Sequence, residues 1–171
     1  ASGGGSAGAR GDRARLERVL SMSVLATYVY QHVFAERVLT GTRRRALDGF
    51  GAQEQAHVAA LRAAVKAAGA TLIGPPSSID AANRDLAHRG IGGRLGQLQG
   101  AEDALDLLIS VERSSIGSCY VALLGLTGSA AIVLVAEIMA NDAQHEAVIT
   151  LERHALKLAA AAPFPLVSGS H

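Results

Sequence analysis

The chain contains no Trp, only 4% aromatic residues and four Pro among its 171 positions. With Ala and Leu abundant, these scarcities point to helices and away from an all-β fold. One cysteine, Cys119, excludes an intramolecular disulfide framework and forms no zinc motif. No basic neighbour in sequence activates it, so it is expected to be a small core residue. Neither sign of charge prevails: 16 Lys and Arg against 15 Asp and Glu leave +1, and no general attraction to nucleic acid is expected. The one dense basic run, Arg43-Arg44-Arg45, reads as a solvated first helical turn.

What is present is apolar and periodic. Hydrophobic residues make up 49% of the chain, which is long enough to bury the core of one domain. Residues 1–11 are rich in Gly, Ser and Ala and are expected to form a flexible tether. Such a tether before a compact domain suits an exported or cell-envelope protein that has lost its signal sequence. The domain is expected over 12–160, followed by a tail, 161–171, without helical period.

Four long helical segments fill that domain. Helix one is expected from Asp12 to just before Gly41, with Leu16, Leu20, Ser23, Thr27, Tyr30 and Phe34 along one seam. Helix two is expected to be capped near Thr42 and to end at Gly69, its seam reading Ala46, Phe50, Glu54, His57, Leu61 and Ala64. The connection from Ala70 to Gly100 opens with Gly74-Pro75-Pro76 and holds a short helix from about Asp80 to His88. Helix three, about Ala101 to Leu124, turns Leu105, Leu108, Glu112, Ile116, Cys119 and Leu123 inward. Helix four, about Ser129 to Ala160, turns Leu134, Ile138, Asp142, His145, Ile149 and Leu156 inward, after the turn Gly125 to Gly128. The pattern is hairpin, crossover, hairpin. The halves echo each other, Ser23 and Tyr30 standing in helix one where Glu112 and Cys119 stand in helix three. Ser114 to Ala136 has no charged residue and is long enough to span a bilayer, but its Gly and Ser residues fit a buried helix end, a turn and a helix start. No transmembrane helix is expected.

Chemistry concentrates in two copies of one short pattern, Glu54-Gln55-Ala56-His57 and Asp142-Ala143-Gln144-His145. Each sets a carboxylate and an imidazole three residues apart, on one helix face. Together with Glu112 they resemble the ligand set of the ferritin-like superfamily, all-α four-helix bundles of two antiparallel hairpins joined by a long crossover. The stretch Gly51 to Arg62 is similar to bacterial ferritin-like domains found in exported proteins. That resemblance, over about Arg15 to His154, implies metal ligands at Glu54, His57, Glu112, Asp142 and His145, iron or manganese as the usual metals, and a homodimer. Apolar residues beside the seam, such as Val24, Leu25 and Val29, are expected to supply the dimer face.

The departures from the family pattern alter the expected chemistry. Ser23 stands where the family has a Glu, and Asp142 is one methylene shorter than the usual residue. Glu17 and Glu36 lie outside the Ser23 seam, while Glu146, one position past His145, is a further candidate at its margin. Two divalent ions would bring four positive charges to three carboxylates, leaving one uncompensated in a low-dielectric core. One divalent ion, iron, manganese or zinc, is easier to accommodate. His32, His88, His154 and His171 fall off the seam and read as surface groups. The expected function is a degenerate di-iron-type site with possible oxidase or peroxide-handling chemistry. The alternatives are a metal-free structural or interaction module with a vestigial site and, last, an iron-storage subunit.

Overall fold

A computed structural model describes residues 4–154. Within them the chain forms α1 (Gly4–Ala35), α2 (Gly41–Ala46), α3 (Phe50–Ala67), α4 (Ile79–His88), α5 (Ala101–Leu123) and α6 (Ser129–His154). The chain is all-α, with α1 packed on α3 and α5 on α6 as two hairpins, and α1 against α5 joining them. The short helix α4 lies in the crossover and packs on α1. Among the described residues no helix is long and apolar enough to cross a membrane.

Helices α4, α5 and α6 start close to the expected positions, and specific charges and hydrogen bonds hold those starts. The Ser78 hydroxyl accepts from the Ala81 N–H at 3.1 Å and caps α4. Glu102 and Asp103 place negative charge in the first turn of α5, where the helix dipole favours it. Asp12 reaches across from α1 to the start of α6, its carboxylate accepting from the N–H groups of Thr127 and Gly128, at 2.9 and 2.8 Å, and from the Thr127 hydroxyl. In the crossover, buried Asn83 donates to the Leu95 carbonyl at 3.2 Å and accepts from the Leu95 N–H at 2.9 Å, fixing the return strap against α4.

The first two helices differ from expectation in three places. α1 begins at Gly4, so the helix runs through most of the segment expected to be a tether. Extending an existing helix avoids the cost of nucleation, and the extension passes the α5–α6 turn, where a Cβ on Gly8 would lie 3.4 Å from the Thr127 hydroxyl. α1 ends at Ala35, not just before Gly41, and Arg37 turns the chain with φ 57° so that Leu39 enters the core. The second segment is broken into α2 and α3 at Gly49, whose φ of 98° is a left-handed conformation that glycine adopts without penalty. The break buries Leu47 completely, a larger side chain than the Ala46 of the expected seam. The expected end of helix four at Ala160, together with Leu156, His171 and the tail 161–171, lies outside the described residues.

The core has two apolar clusters. One gathers Met22, Val29, Tyr30, Leu105, Leu108 and Ile149, and the other Leu16, Leu20, Leu61, Cys119, Val135 and Ile138. Along α6 the order Ile138, Asp142, His145, Ile149 passes from one cluster to the other through a polar layer. Val24, Leu25 and Val29, expected on an outer dimer face, are buried in these clusters. Helix α1 contacts α3, α4, α5 and α6, and so retains little free apolar surface. The exposed large apolar side chains are elsewhere, among them Tyr120, Val121, Leu124 and Val133 near the α5–α6 turn.

Candidate metal centre

The polar layer is built by three helices. Glu54 and His57 come from α3, Glu112 from α5, and Asp142 and His145 from α6. Burial on each helix follows the seam, and Glu54, Glu112, Asp142 and His145 are at most 1% exposed. One ligand-type atom from each of these four lies within 4.8 Å of the others. His57, the fifth expected ligand, lies at the edge, its Nδ1 3.4 Å from Glu54 Oε1 and 3.4 Å from Asp142 Oδ1. His145 Nδ1 is 3.2 Å from Glu112 Oε1 and 3.4 Å from Glu54 Oε1.

Several neighbours orient these groups. The Tyr30 hydroxyl donates to Glu112 Oε1, and the Ser115 hydroxyl donates to Asp142 Oδ2 at 2.6 Å. The Gln53 side-chain carbonyl can only accept, so His145 Nε2 carries a proton toward it across 2.5 Å. The Phe50 ring stacks on His145 at 4.1 Å and holds its plane. Ser115 was legible in principle, standing three residues after Glu112 on the same face. Gln53 was not, because its period places it outside the seam.

Ser23 and Glu146 are expected at the seam and its margin, and Glu17 and Glu36 outside it. Ser23 is buried, but its Oγ has no hydrogen-bond partner and it brings no charge. Glu146, the marginal candidate, is drawn outward by Arg113 at 2.9 Å and stays out of the cluster. Glu17 pairs with Arg13, and Glu36 accepts from the Gly96 N–H. Of the remaining histidines, His88 and His154 are exposed, and His32 stacks on Tyr28. The Arg43-Arg44-Arg45 run sits at the surface in α2, with the Arg44 guanidinium over the Phe34 ring.

Burial and mutual charge set the protonation of the layer. Burial, followed by the charges of Glu54 and Glu112, pushes Asp142 up to about 7. Glu112 is raised for the same first reason. Burial also works to raise Glu54, but the imidazoles of His145 and His57 outweigh it and hold the carboxyl below its ordinary value. For His145 burial favours the neutral ring, yet Glu112 and Glu54 prevail and bring it up to about 9. Burial and the adjacent Glu112 hold the Tyr30 phenol well above its usual range, so it remains a neutral donor. Burial lifts the Cys119 thiol to about 12, which keeps it an unreactive core group.

The donor set fits one cation better than it fits itself. Both oxygens of Glu54, Asp142 Oδ1 and His57 Nδ1 are buried without a hydrogen-bond partner. Such orphaned groups are rare in a folded core and commonly mark an ion. Metal–ligand distances of about 2.0–2.2 Å put opposite ligands about 4–4.4 Å apart. A spread of 4.8 Å therefore needs a contraction of a few tenths of an ångström. The proton on His145 Nε2 matches the usual second hydrogen bond of a ligating histidine and leaves Nδ1 to face the carboxylates.

The ferritin-like domain family matches the chain over residues 12–154. No curated protein and no solved structure matches it.

Proposed function

This chain belongs to the ferritin-like domain family, and we propose that its polar layer binds one divalent transition-metal ion. Glu54, Glu112, Asp142 and His145 hold it, with His57 completing the set from the edge. The supporting observation is the convergence of orphaned acceptors from α3 and α6 on one buried point. Iron or manganese bound there would supply one-electron redox chemistry, and the reaction class we assign is an oxidase or peroxide-handling step.

The chain's own residues prepare that chemistry. Three carboxylates exceed the charge of one divalent ion, and Asp142, pushed up to about 7, is the acid best placed to keep or release a proton as the charge at the site changes. Gln53 and Phe50 hold the His145 ring, and Tyr30 and Ser115 each hold one carboxylate oxygen. Apolar clusters on both sides exclude water.

Purification without added metal, followed by elemental analysis, tests the reading. About one iron, manganese or zinc per chain is expected, lost in His145→Ala and weakened in His57→Ala. Absence of metal after native purification, together with no binding on reconstitution, refutes it. The geometry also supports a second reading, a metal-free interaction module, because a protonated His145 facing Glu112 and Glu54 can balance part of the buried charge by itself. The same measurement separates the two.

A further inference from the structure

We infer that the groove between α1, the end of α4 and the outer side of α5 is a binding site for a phosphate group. It encloses about 490 Å³ and brings together Arg15 and Arg18 from α1 and Arg89 from the residue that ends α4. Ser21, Ser114 and Ser118 line it as well, the Ser118 hydroxyl donating to the Ser114 carbonyl at 2.8 Å. The groove is separate from the metal centre: Glu112, Ser115 and Cys119 are buried on the inner side of α5, while Ser114, Gly117 and Ser118 face the groove.

Three arginines line one groove, an excess of positive charge that an anion there would balance. Among the described residues, no carboxylate lies within ion-pair distance of any of the three. Asp12 is committed to the N–H groups of Gly128 and Thr127, which outweigh its desolvation and hold its carboxyl below the ordinary value, with Arg15 adding a smaller attraction. The arrangement is nonetheless held in place. Arg89 Nη2 donates to Ser21 Oγ at 2.8 Å, which leaves the Ser21 proton free to donate. The Arg15 guanidinium lies where a Cβ on Gly125 would come within 2.3 Å of its nitrogens, and one on Gly11 within 2.6 Å, so two missing side chains give it room. A Cβ on Gly117 would meet nothing within 4 Å, which leaves that wall open. The Ser114 hydroxyl points at Met22 Sδ across 3.5 Å, a weak bond that a better acceptor displaces.

Phosphate matches this chemistry better than carboxylate does. Guanidinium forks pair with phosphate oxygens bidentately, and a tetrahedral dianion offers acceptors to three forks and a hydroxyl at once. A carboxylate has two oxygens and one charge. The groove exceeds a bare phosphate in size, and Val121 and Ala122 form an apolar wall. The ligand class is therefore an organic phosphomonoester with an apolar remainder, either a soluble molecule or the headgroup of a lipid.

The test uses the whole chain freed of metal with a chelator, at fixed ionic strength set with chloride. Butyl phosphate is titrated while melting temperature and phosphorus NMR line width are followed. Vesicles of phosphatidylcholine with and without phosphatidic acid provide the second arm. A saturable rise in melting temperature is expected, weakened about tenfold or more in Arg18→Gln and in Arg89→Gln, the effect of losing one charge-assisted contact. Both arginines are exposed, and circular dichroism checks that the variants keep their helices. Saturable binding of butyl phosphate without vesicle binding identifies a soluble ligand. Arginine-dependent sedimentation with phosphatidic acid vesicles identifies a lipid headgroup. No saturable response to either probe, or a response unchanged in both variants, overturns the inference.

Discussion

Kept free of metal, this protein should lose stability as pH rises from 5 to 9, against the usual behaviour of proteins rich in paired carboxylates. A carboxyl whose folded pKa lies above its unfolded value makes the native state bind more protons than the unfolded chain, so stability is lost as pH rises through that window. Asp142 moves from 3.8 to about 7, and the part of that shift lying above pH 5 is worth about 3 kcal/mol of stability. His145, raised from 6.5 to about 9, contributes fully below 6.5 and loses its contribution as pH climbs to 9. Glu112 is raised and acts in the same direction; Glu54 is lowered and acts oppositely, but at the acid end of the range. For a domain of this size a loss of about 3 kcal/mol from Asp142 alone lowers the melting temperature by about 6–12 °C. Urea and thermal melts of chelator-treated protein at pH 5, 7 and 9 measure it. Asp142→Asn should flatten the part of the slope below pH 7 and leave the part above it. Excess Mn(II) should reverse the trend, because metal displaces the protons that the cluster otherwise holds. Stability that is level or rising between pH 5 and 9 in the metal-free protein refutes the account of a proton-holding cluster.

Gln53→Leu removes the acceptor that orients His145, and metal affinity measured by chelator competition should drop by about 10–100-fold, with a loss of about 1–3 kcal/mol in the metal-free protein because the buried His145 Nε2–H is left without its acceptor. Asn83→Ala leaves the Leu95 N–H and carbonyl without their partner; a destabilisation of about 2–3 kcal/mol is expected, with faster hydrogen exchange of the Leu95 amide as the local check. Asp12→Ala strips the acceptor from the start of α6. A loss of about 1 kcal/mol in a urea melt is expected, and no loss would show that the contact is incidental.

The long, regular parts of the fold were legible because their signals were redundant. Apolar seams, a Gly-bounded turn at 125–128 and a short helix expected from about Asp80 all agreed, and α4, α5 and α6 begin close to the positions those signals imply. The break between α2 and α3 was not legible. Gly49 looks like one tolerable glycine in a helical pattern, and burying Leu47 in place of Ala46 depends on a pocket formed by distant segments. The ends of α1 were missed for a similar reason, since both are decided by partners far away in sequence, Thr127 at one end and the core that receives Leu39 at the other. In the site, spacing identified the groups that converge, but it could not separate His57, at the edge, from His145, inside the mutually close set. Burial of Val24, Leu25 and Val29 follows from α1 lying against four other helices, which a single-helix seam does not reveal.

The polar layer is costly where it stands, and that cost bears on its use. Each buried group without a partner costs about 1–3 kcal/mol, and more when charged. Glu54 contributes two such oxygens, and Asp142 and His57 one atom each. The apolar clusters on either side offset this, so the bundle holds three acids and two imidazoles from α3, α5 and α6 between them. Well-packed apolar residues at such positions are often neutral or stabilising, so stability alone gives no reason to keep the charges. The histidines do not complete the layer by themselves: the ring that makes a sound hydrogen bond, His145, bonds Glu112 and Gln53, while Glu54 is left with contacts at 3.4 Å. A cation drawn to the middle would satisfy Glu54 and Asp142 together without moving the bonds that Tyr30, Ser115 and Gln53 already make. The loss of the expected carboxylate at Ser23 limits how much positive charge that centre can balance, and so favours one ion over two.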